Sequence, residues 1–150
     1  MAKAEIIYAT ITGNNEDIAD IIAEELEDQG LEVQVDEVSQ SDVSDFEDAD
    51  ICIVCTYTYN EGHLPDEAKD FFEDLKEMNL KGKIYGVAGS GDEFYGQYYC
   101  TAVDKFDMVL ANTGAIKGAP DVKINLSPDT NEDIKTLDNF ADQLALKLKE

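Results

Sequence analysis

The residues of this chain that could carry chemistry begin in a short polar loop near the N-terminus, Thr-Ile-Thr-Gly-Asn-Asn-Glu. The loop offers the hydroxyls of Thr10 and Thr12 and the side-chain amides of Asn14 and Asn15. Gly13 between them lets the backbone come close to a ligand. Because the loop contains no lysine or arginine, any anion held there must be bound by hydroxyls, amides and backbone N–H groups.

The elements around this loop would aim it at one point. The run at 4–9 is short, β-branched and mostly apolar, which predicts a buried strand. Ile18, Ile21 and Ile22 then recur at helical spacing among acids, which predicts an amphipathic helix. A strand followed by a polar loop and a helix N-terminus forms an anion site, most often for phosphate. An ordinary capped strand–helix turn has the same composition and stays open as the alternative.

Two further loops are rich in Gly, Ser, Thr, Asn and Tyr and poor in cations, at 56–65 and 89–98. Each brings aromatic rings, and a ring from each side could sandwich a flat heterocycle. The alternative is that Tyr57 and Tyr59 are residues that favour β-structure at a strand end. The first loop has no GxxxxGK and no GxGxxG pattern, so it suits one terminal phosphate rather than ATP or a dinucleotide.

The cysteines and the single histidine indicate no further chemistry. Cys52 and Cys55 have CxxC spacing, but they lie in an apolar strand run, where residues three apart point to opposite faces. We therefore expect core thiols rather than a disulfide or a metal site. His63 is the only histidine, which excludes a His-based metal site or triad, and we predict no metal site.

The charge is extreme, with 34 acids against 11 lysines and arginines and a formal net charge of −23. Such a surface repels nucleic acid and anionic membranes and attracts basic partner proteins. Halophilic adaptation or solubility alone would give the same composition. No apolar run approaches the roughly 20 residues of a membrane span, and the N-terminus does not resemble a signal peptide, so we expect a cytoplasmic protein.

Predicted strands and helices alternate along the whole chain, which predicts one α/β domain at 1–150 with a five-stranded parallel sheet between two helical layers. The second strand is expected at an edge, and the last strand includes Val122, Ile124 and Leu126. We expect helices at about 66–78 and 98–112, and a terminal helix capped by Thr130. The three polar loops all follow interior strands, where ligands of such sheets bind.

The motifs in these loops resemble the flavin site of the flavodoxins. They are Thr-x-Thr-Gly-Asn at 10–14, Thr-Tyr-Thr-Tyr-x-x-Gly-x-Leu-Pro at 56–65 and Gly-Ser-Gly-Asp-x-x-Tyr at 89–95. The similarity covers essentially the whole chain and is greatest to the short-chain group. It implies the strand order 2-1-3-4-5, one FMN bound without a covalent link, and a monomeric low-potential carrier of single electrons. It implies transient partners, basic reductases and acceptor enzymes that dock near the flavin edge.

The resemblance also implies a set of cofactor-binding residues. The phosphate would lie on the first loop, the ring system between Tyr59 and Tyr95, and the ring's pyrimidine edge along the third loop. The backbone at Asn60 and Glu61 would meet flavin N5. The full set is Thr10, Ile11, Thr12, Gly13, Asn14, Asn15, Thr56, Tyr57, Thr58, Tyr59, Asn60, Glu61, Gly62, Gly89, Ser90, Gly91, Asp92, Tyr95 and Tyr98.

Four features depart from the family pattern. Asn15 replaces a Thr of the phosphate loop, and its side-chain amide could donate a hydrogen bond in place of the missing hydroxyl. Asn60 replaces a Gly in the turn at N5. His63 stands where the family commonly has an acid. One residue is inserted near Gly96 and Gln97, which could shift the neighbouring tyrosines.

Three other functions stay open as alternatives. A phosphoacceptor receiver domain needs acids after the first strand and an Asp ending the third, where this chain has Thr10, Thr12 and Thr56. A flavin or nucleotide enzyme would need a base or nucleophile, and the loops offer only Glu61, His63 and Asp92. A dedicated activator of one enzyme, such as a ribonucleotide reductase, is the nearest alternative within redox chemistry.

Overall fold

Six strands form one sheet in the computed structural model of the protein, which describes residues 2–59 and 62–150. The strands are β1 (Lys3–Tyr8), β2 (Glu32–Glu37), β3 (Ile51–Tyr57), β4 (Ile84–Gly91), β5 (Ile116–Lys117) and β6 (Val122–Asn125). Each pairing between them is parallel, and the order is β2-β1-β3-β4-β5, with β6 also on β4. The predicted order 2-1-3-4-5 is confirmed, with β2 at the edge.

Two short strands, rather than one, fill the last position of the sheet. β5 pairs with Ile84 and Tyr85 at the start of β4, and β6 pairs with the residues from Ala88 to Gly91. Pro120 lies between them and has no N–H to give to a ladder. The prediction that Leu126 continues this strand is wrong, because β6 ends at Asn125 and Leu126 has a left-handed φ of 62°.

In the described part of the chain, four α-helices cover the two faces of the sheet. They are α1 (Asn14–Asp28), α2 (Lys69–Leu75), α3 (Thr101–Asn112) and α4 (Asn131–Leu148). The predicted cap of α4 is confirmed, since the Thr130 hydroxyl accepts a 3.0 Å hydrogen bond from the backbone N–H of Asp133. Among residues 2–59 and 62–150, no helix combines the length and the apolar character that a membrane span requires.

Two of the helices are shorter than their predicted spans. In the span at 66–78, Asp66–Ala68 is a 3₁₀ turn and α2 ends at Leu75. The N–H of Met78 bonds to the carbonyl of Leu75, which is the three-residue spacing of a tightened last turn. α3 begins at Thr101 because Cys100 before it has a left-handed φ of 53°, which a helix interior does not accept.

The core has one half on each face of the sheet. α1 and α4 pack on one face, and α2, α3 and the 3₁₀ turn Val43–Phe46 pack on the other. Cys55 lies in the first half and Cys52 in the second, so the prediction of separate buried thiols is confirmed. Burial raises the pKa of Cys52 to about 12, which makes it a poor nucleophile.

Candidate cofactor site

An open cavity of about 260 Å³ lies at the carboxyl ends of the central strands β1, β3 and β4. Residues from all three predicted loops line it, so the fold brings these loops together. The lining residues are Thr10, Ile11, Thr12, Asn14, Asn15, Tyr57, Thr58, Ser90, Gly91, Asp92, Tyr95 and Leu126.

The first loop turns into α1 through Gly13, which caps the helix with a φ of 92°. A side chain would meet no neighbouring atom there, so this left-handed conformation, rather than space, is the reason for glycine. The Thr10 hydroxyl accepts hydrogen bonds from the backbone N–H groups of Gly13, at 2.9 Å, and Asn15, at 3.3 Å. The loop therefore presents the N-terminus of α1 in a fixed shape, with Ile11 and Thr12 exposed.

Asn15 points into the protein. It is 1% exposed, and its amide nitrogen donates a 2.8 Å hydrogen bond to the hydroxyl of Ser90 at the end of β4. Its Oδ1 is buried and accepts no hydrogen bond from the part of the chain that the structure describes. The amide that was expected to replace a threonine hydroxyl is thus used to connect two loops.

In the second loop, two threonines hold the backbone. Thr56 is fully buried, and its hydroxyl donates to the carbonyl of Tyr57 at 2.9 Å. The Thr58 hydroxyl accepts a 3.0 Å hydrogen bond from Ala102 in the first turn of α3. The Tyr57 hydroxyl donates to the carboxylate of Glu67, and burial together with that acid raises the pKa of Tyr57. Tyr57 therefore remains an uncharged ring at the cavity wall.

The tip of the second loop is closed by a pair of backbone hydrogen bonds between Tyr59 and His63, of 2.7 and 2.8 Å. Asn60 and Glu61, predicted to face flavin N5, lie outside the described residues. Gly62 has a φ of 89°, and its carbonyl accepts a 2.7 Å hydrogen bond from the ammonium of Lys105 on α3. The loop is thus fastened to α3.

Six of the predicted site residues that the structure describes do not line the cavity, namely Gly13, Thr56, Tyr59, Gly62, Gly89 and Tyr98. Tyr59 is 45% exposed and lies outside the set of lining residues. Gly62 and Tyr98 line a different cavity of about 430 Å³, together with Gln97, Thr101 and Lys105.

Gly89 and Gly91 of the third predicted loop lie within strand β4. A side chain at Gly89 would collide with the carbonyl of Thr56 and with Val103, so β4 needs glycine to lie against β3 and α3. At Gly91 a Cβ would come within 2.8 Å of the Cys100 sulfur. Gly89 therefore shapes the site through packing, while Gly91 reaches the cavity wall.

Beyond β4, Asp92 accepts a hydrogen bond from the N–H of Phe94 at 2.9 Å and begins a 3₁₀ turn. Tyr95 in this turn is 39% exposed, and the Phe94 ring packs edge-on against it with centroids 5.6 Å apart. Gly96, near the predicted insertion, breaks the turn with a φ of 55°. Tyr95 is thereby left at the cavity wall.

Sequence reasoning missed Leu126 as a site residue. It lines the cavity at 53% exposure, and its N–H donates a 2.7 Å hydrogen bond to the carbonyl of Gly91. The alternation of Val122, Ile124 and Leu126 placed it in a strand, and no local signal marks the left-handed turn that brings it to the site.

The donors around the cavity fit a phosphate and a flat ring. The N-terminus of α1 and the hydroxyl groups offer donors for a phosphate, and Tyr95 and Leu126 offer aromatic and apolar surface. Gly91 leaves backbone close to the cavity, where a polar ring edge can be bound. Since none of the described lining residues is a lysine or an arginine, the site neutralises little charge on its ligand.

The comparisons with known proteins identify the family. The sequence model of the family described as flavodoxin matches residues 6–138. The chain is 40% identical to probable flavodoxin 1 of Bacillus subtilis over 141 residues, which is 94% of this chain and 89% of that protein.

Two solved structures are similar over nearly the whole chain. The flavodoxin of Streptococcus pneumoniae TIGR4 is 57% identical with a TM-score of 0.94, and 97% of this chain and 99% of that chain are covered. A short-chain flavodoxin associated with a bacterial microcompartment is 49% identical with a TM-score of 0.96, with 99% of each chain covered. The chain belongs to the flavodoxin family and is an FMN-binding electron carrier.

Proposed function

We propose that this protein is a low-potential carrier of single electrons and that it holds FMN in the cavity at the carboxyl ends of β1, β3 and β4. The observation that carries the assignment is the convergence of all three polar loops on this one cavity, without a cation among its described lining residues. FMN supplies the redox chemistry when it is bound. The protein binds it, orients it and sets the charge around it.

The phosphate would be held by the first loop. Thr12 is exposed on the loop, and the backbone N–H groups at the start of α1 are free of the intrahelical bonds that begin one turn later. The Thr10 hydroxyl fixes the loop by accepting from Gly13 and Asn15, so little reorganisation is needed on binding. Asn15 would support the shape of the loop rather than donate to the phosphate, since its side-chain amide is engaged with Ser90 and its backbone N–H with Thr10.

The ring system would lie against Tyr95, with Leu126 at the same cavity and the backbone of Gly91 and Asp92 near its polar edge. Tyr59, at 45% exposure, would cover the outer side of the ring, so that bound FMN extends beyond the cavity toward solvent. An exposed ring edge is what an electron carrier needs, because a partner must come close to it.

The charge around the site supports a low potential. Asp92 lines the cavity, Glu93 is exposed beside it, and the whole chain carries a formal −23. Negative potential and removal of water both oppose the addition of negative charge to a bound group. The second electron should therefore enter only at a low potential.

Flavodoxins pass electrons to and from reductases and oxidoreductases. We infer that the protein acts as a monomer and that basic partners dock transiently near the flavin edge, because the acids at the site attract positive patches. The site would hold FMN for electron transfer, and the protein would turn over no substrate of its own.

The ring position is tested by FMN titration of apoprotein variants, followed by flavin fluorescence. Tyr95→Ala should weaken FMN binding by about 1 to 3 kcal/mol, as loss of a stacking ring does elsewhere. Tyr95→Phe keeps the ring and should bind like the wild type. Leu146→Ala is the control, since Leu146 is 63% exposed and lies outside the cavity. Equal affinities for Tyr95→Ala and the wild type would refute the assignment.

The phosphate position is tested with riboflavin, which has the same ring and no phosphate. Thr12→Val should weaken FMN and leave riboflavin unchanged, while Thr12→Ser should bind both like the wild type. A loss of riboflavin affinity equal to that of FMN would place the phosphate elsewhere.

A further inference from the structure

Three carboxylates outside the FMN cavity come together between the sheet and the 3₁₀ turn that precedes β3. Glu5 lies on β1, Asp36 on the edge strand β2, and Asp45 in the turn Val43–Phe46. One oxygen of each residue lies within 4.8 Å of the oxygens of the other two. Three acids at this distance repel one another unless something positive lies between them.

Glu5 makes the arrangement unusual, because it is 2% exposed in a strand with a neighbour on each side. Its Oε1 is buried and accepts no hydrogen bond from residues 2–59 or 62–150. On β3 it faces Cys52, and Ile7 follows on the same side of β1. A buried carboxylate in apolar surroundings, whose hydrogen-bonding neighbour Asp36 is itself an acid, is costly while it is charged, so the side chain favours a positive ligand.

The described residues do not supply that positive ligand. Within the described part of the chain, none of the six ion pairs includes Glu5, Asp36 or Asp45. Burial, then Asp36 and Asp45, raise the pKa of Glu5 to about 9, while Lys3 lowers it only in part. The folded site therefore favours an added positive charge.

We propose that Glu5, Asp36 and Asp45 bind a hard divalent cation, Ca²⁺, at this edge of the sheet. The ligand atoms are all carboxylate oxygens, whereas zinc and copper prefer sulfur and imidazole ligands. Ca²⁺ binds oxygen at about 2.3 to 2.6 Å, so two ligands on opposite sides of it lie up to roughly 5 Å apart. Asp45 is exposed, so water can complete the coordination from that side.

The site connects the 3₁₀ turn Val43–Phe46 to β1 and β2, two strands that already pair along their whole length. Asp45 also accepts a 3.1 Å hydrogen bond from the N–H of Asp42, which fixes the turn that carries it. A cation on the three carboxylates would fasten this turn and the edge strand β2 to the central strand β1. Because the cation would bind only the folded protein, the free energy of unfolding should rise with the cation concentration.

The test is thermal unfolding of the FMN-loaded protein in CaCl₂ up to about 10 mM, a range set by weak Ca²⁺ sites, with KCl adjusted to hold ionic strength constant. The wild type should show a saturable rise in Tm, and calorimetric titration should give one Ca²⁺ per chain. Glu5→Gln should abolish the rise, and Asp45→Asn, at an exposed position, should weaken binding at least about tenfold. Asp48→Asn, an exposed acid outside the cluster, should respond like the wild type.

A second variant keeps the test decisive if Glu5→Gln folds poorly. Glu5→Lys places an ammonium between Asp36 and Asp45, so it should raise the Tm without Ca²⁺ and remove the response to Ca²⁺. If Glu5→Gln and the wild type respond alike, Ca²⁺ acts by screening the charge of −23 and the site does not exist. A wild type without saturable binding shows that a proton alone occupies Glu5, which also overturns the proposal.

Discussion

The side-chain amide of Asn15 donates a 2.8 Å hydrogen bond to the hydroxyl of Ser90, and this contact joins the first turn of α1 to the end of β4. The two residues are 1% and 4% exposed, so water cannot replace either partner. The proposed phosphate loop and the strand that borders the proposed ring site are therefore directly connected. This connection explains why an asparagine can occupy a position of the proposed phosphate loop with its side chain turned inward.

Removal of the Ser90 hydroxyl should destabilise the apoprotein. Ser90→Ala leaves the Asn15 amide buried without an acceptor, a change that costs about 1 to 3 kcal/mol. Urea unfolding of Ser90→Ala, Asn15→Ala and the double variant measures their coupling, expected at about 0.5 to 3 kcal/mol. Ser44→Ala, at an exposed position, is the control. Additive effects of the two single variants would show that the contact contributes nothing.

The charge of Asp92 should lower the potential at which FMN accepts its second electron. Asp92→Asn removes the charge and keeps an oxygen that can accept from the N–H of Phe94. If the substitution removes about 0.5 to 1.4 kcal/mol of the electrostatic penalty on the second electron, the potential of that step rises by roughly 20 to 60 mV. Spectroelectrochemical titration measures this change. Asp48→Asn, which precedes the amino end of β3 at the opposite edge of the sheet, should leave the potential unchanged.

The sequence was sufficient for the order of the elements and for the three loops, because both depend on local patterns. Apolar runs in β1 and β3 have to be buried on both faces, and the loops after them contain polar residues and glycine. Once the strands are parallel, their carboxyl ends meet at one edge. The convergence of the loops follows from this topology and required no side-chain detail.

The direction of individual side chains could not be predicted, because it depends on long-range contacts. Asn15 turns inward since Ser90, 75 residues away in the chain, offers an acceptor. Leu126 has a left-handed backbone conformation that takes it out of strand β6, and the alternating pattern of its segment does not indicate this. The buried Glu5 resembles any polar residue at a strand start until the positions of Asp36 and Asp45 are known.

Asp121 should make stability depend on pH. Burial and then Asp107 raise the pKa of Asp121 from 3.8 to about 7, so the folded state holds a proton that the unfolded chain releases. The stability that this bound proton gives to the folded state is fully present below pH 3.8 and is lost as the pH rises through 7. Asp121→Asn cannot release a proton, and its free energy of unfolding should therefore rise relative to that of the wild type between pH 4 and 7. Parallel pH profiles of the two proteins would contradict this assignment.

Docking of redox partners should be electrostatic, because Glu93 and Asp66 are exposed in the segments that follow β4 and β3. Stopped-flow association with a basic flavodoxin reductase should slow at least about tenfold when the Debye length falls from about 30 Å at 0.01 M to 10 Å at 0.1 M salt. The double variant Glu93→Gln with Asp66→Asn should flatten this salt dependence. The matched double variant Glu47→Gln with Asp48→Asn, at the opposite edge of the sheet, removes the same charge and should keep the wild-type slope. If both double variants reduce the slope equally, the partner responds to the net charge of the molecule and not to a docking surface beside the flavin.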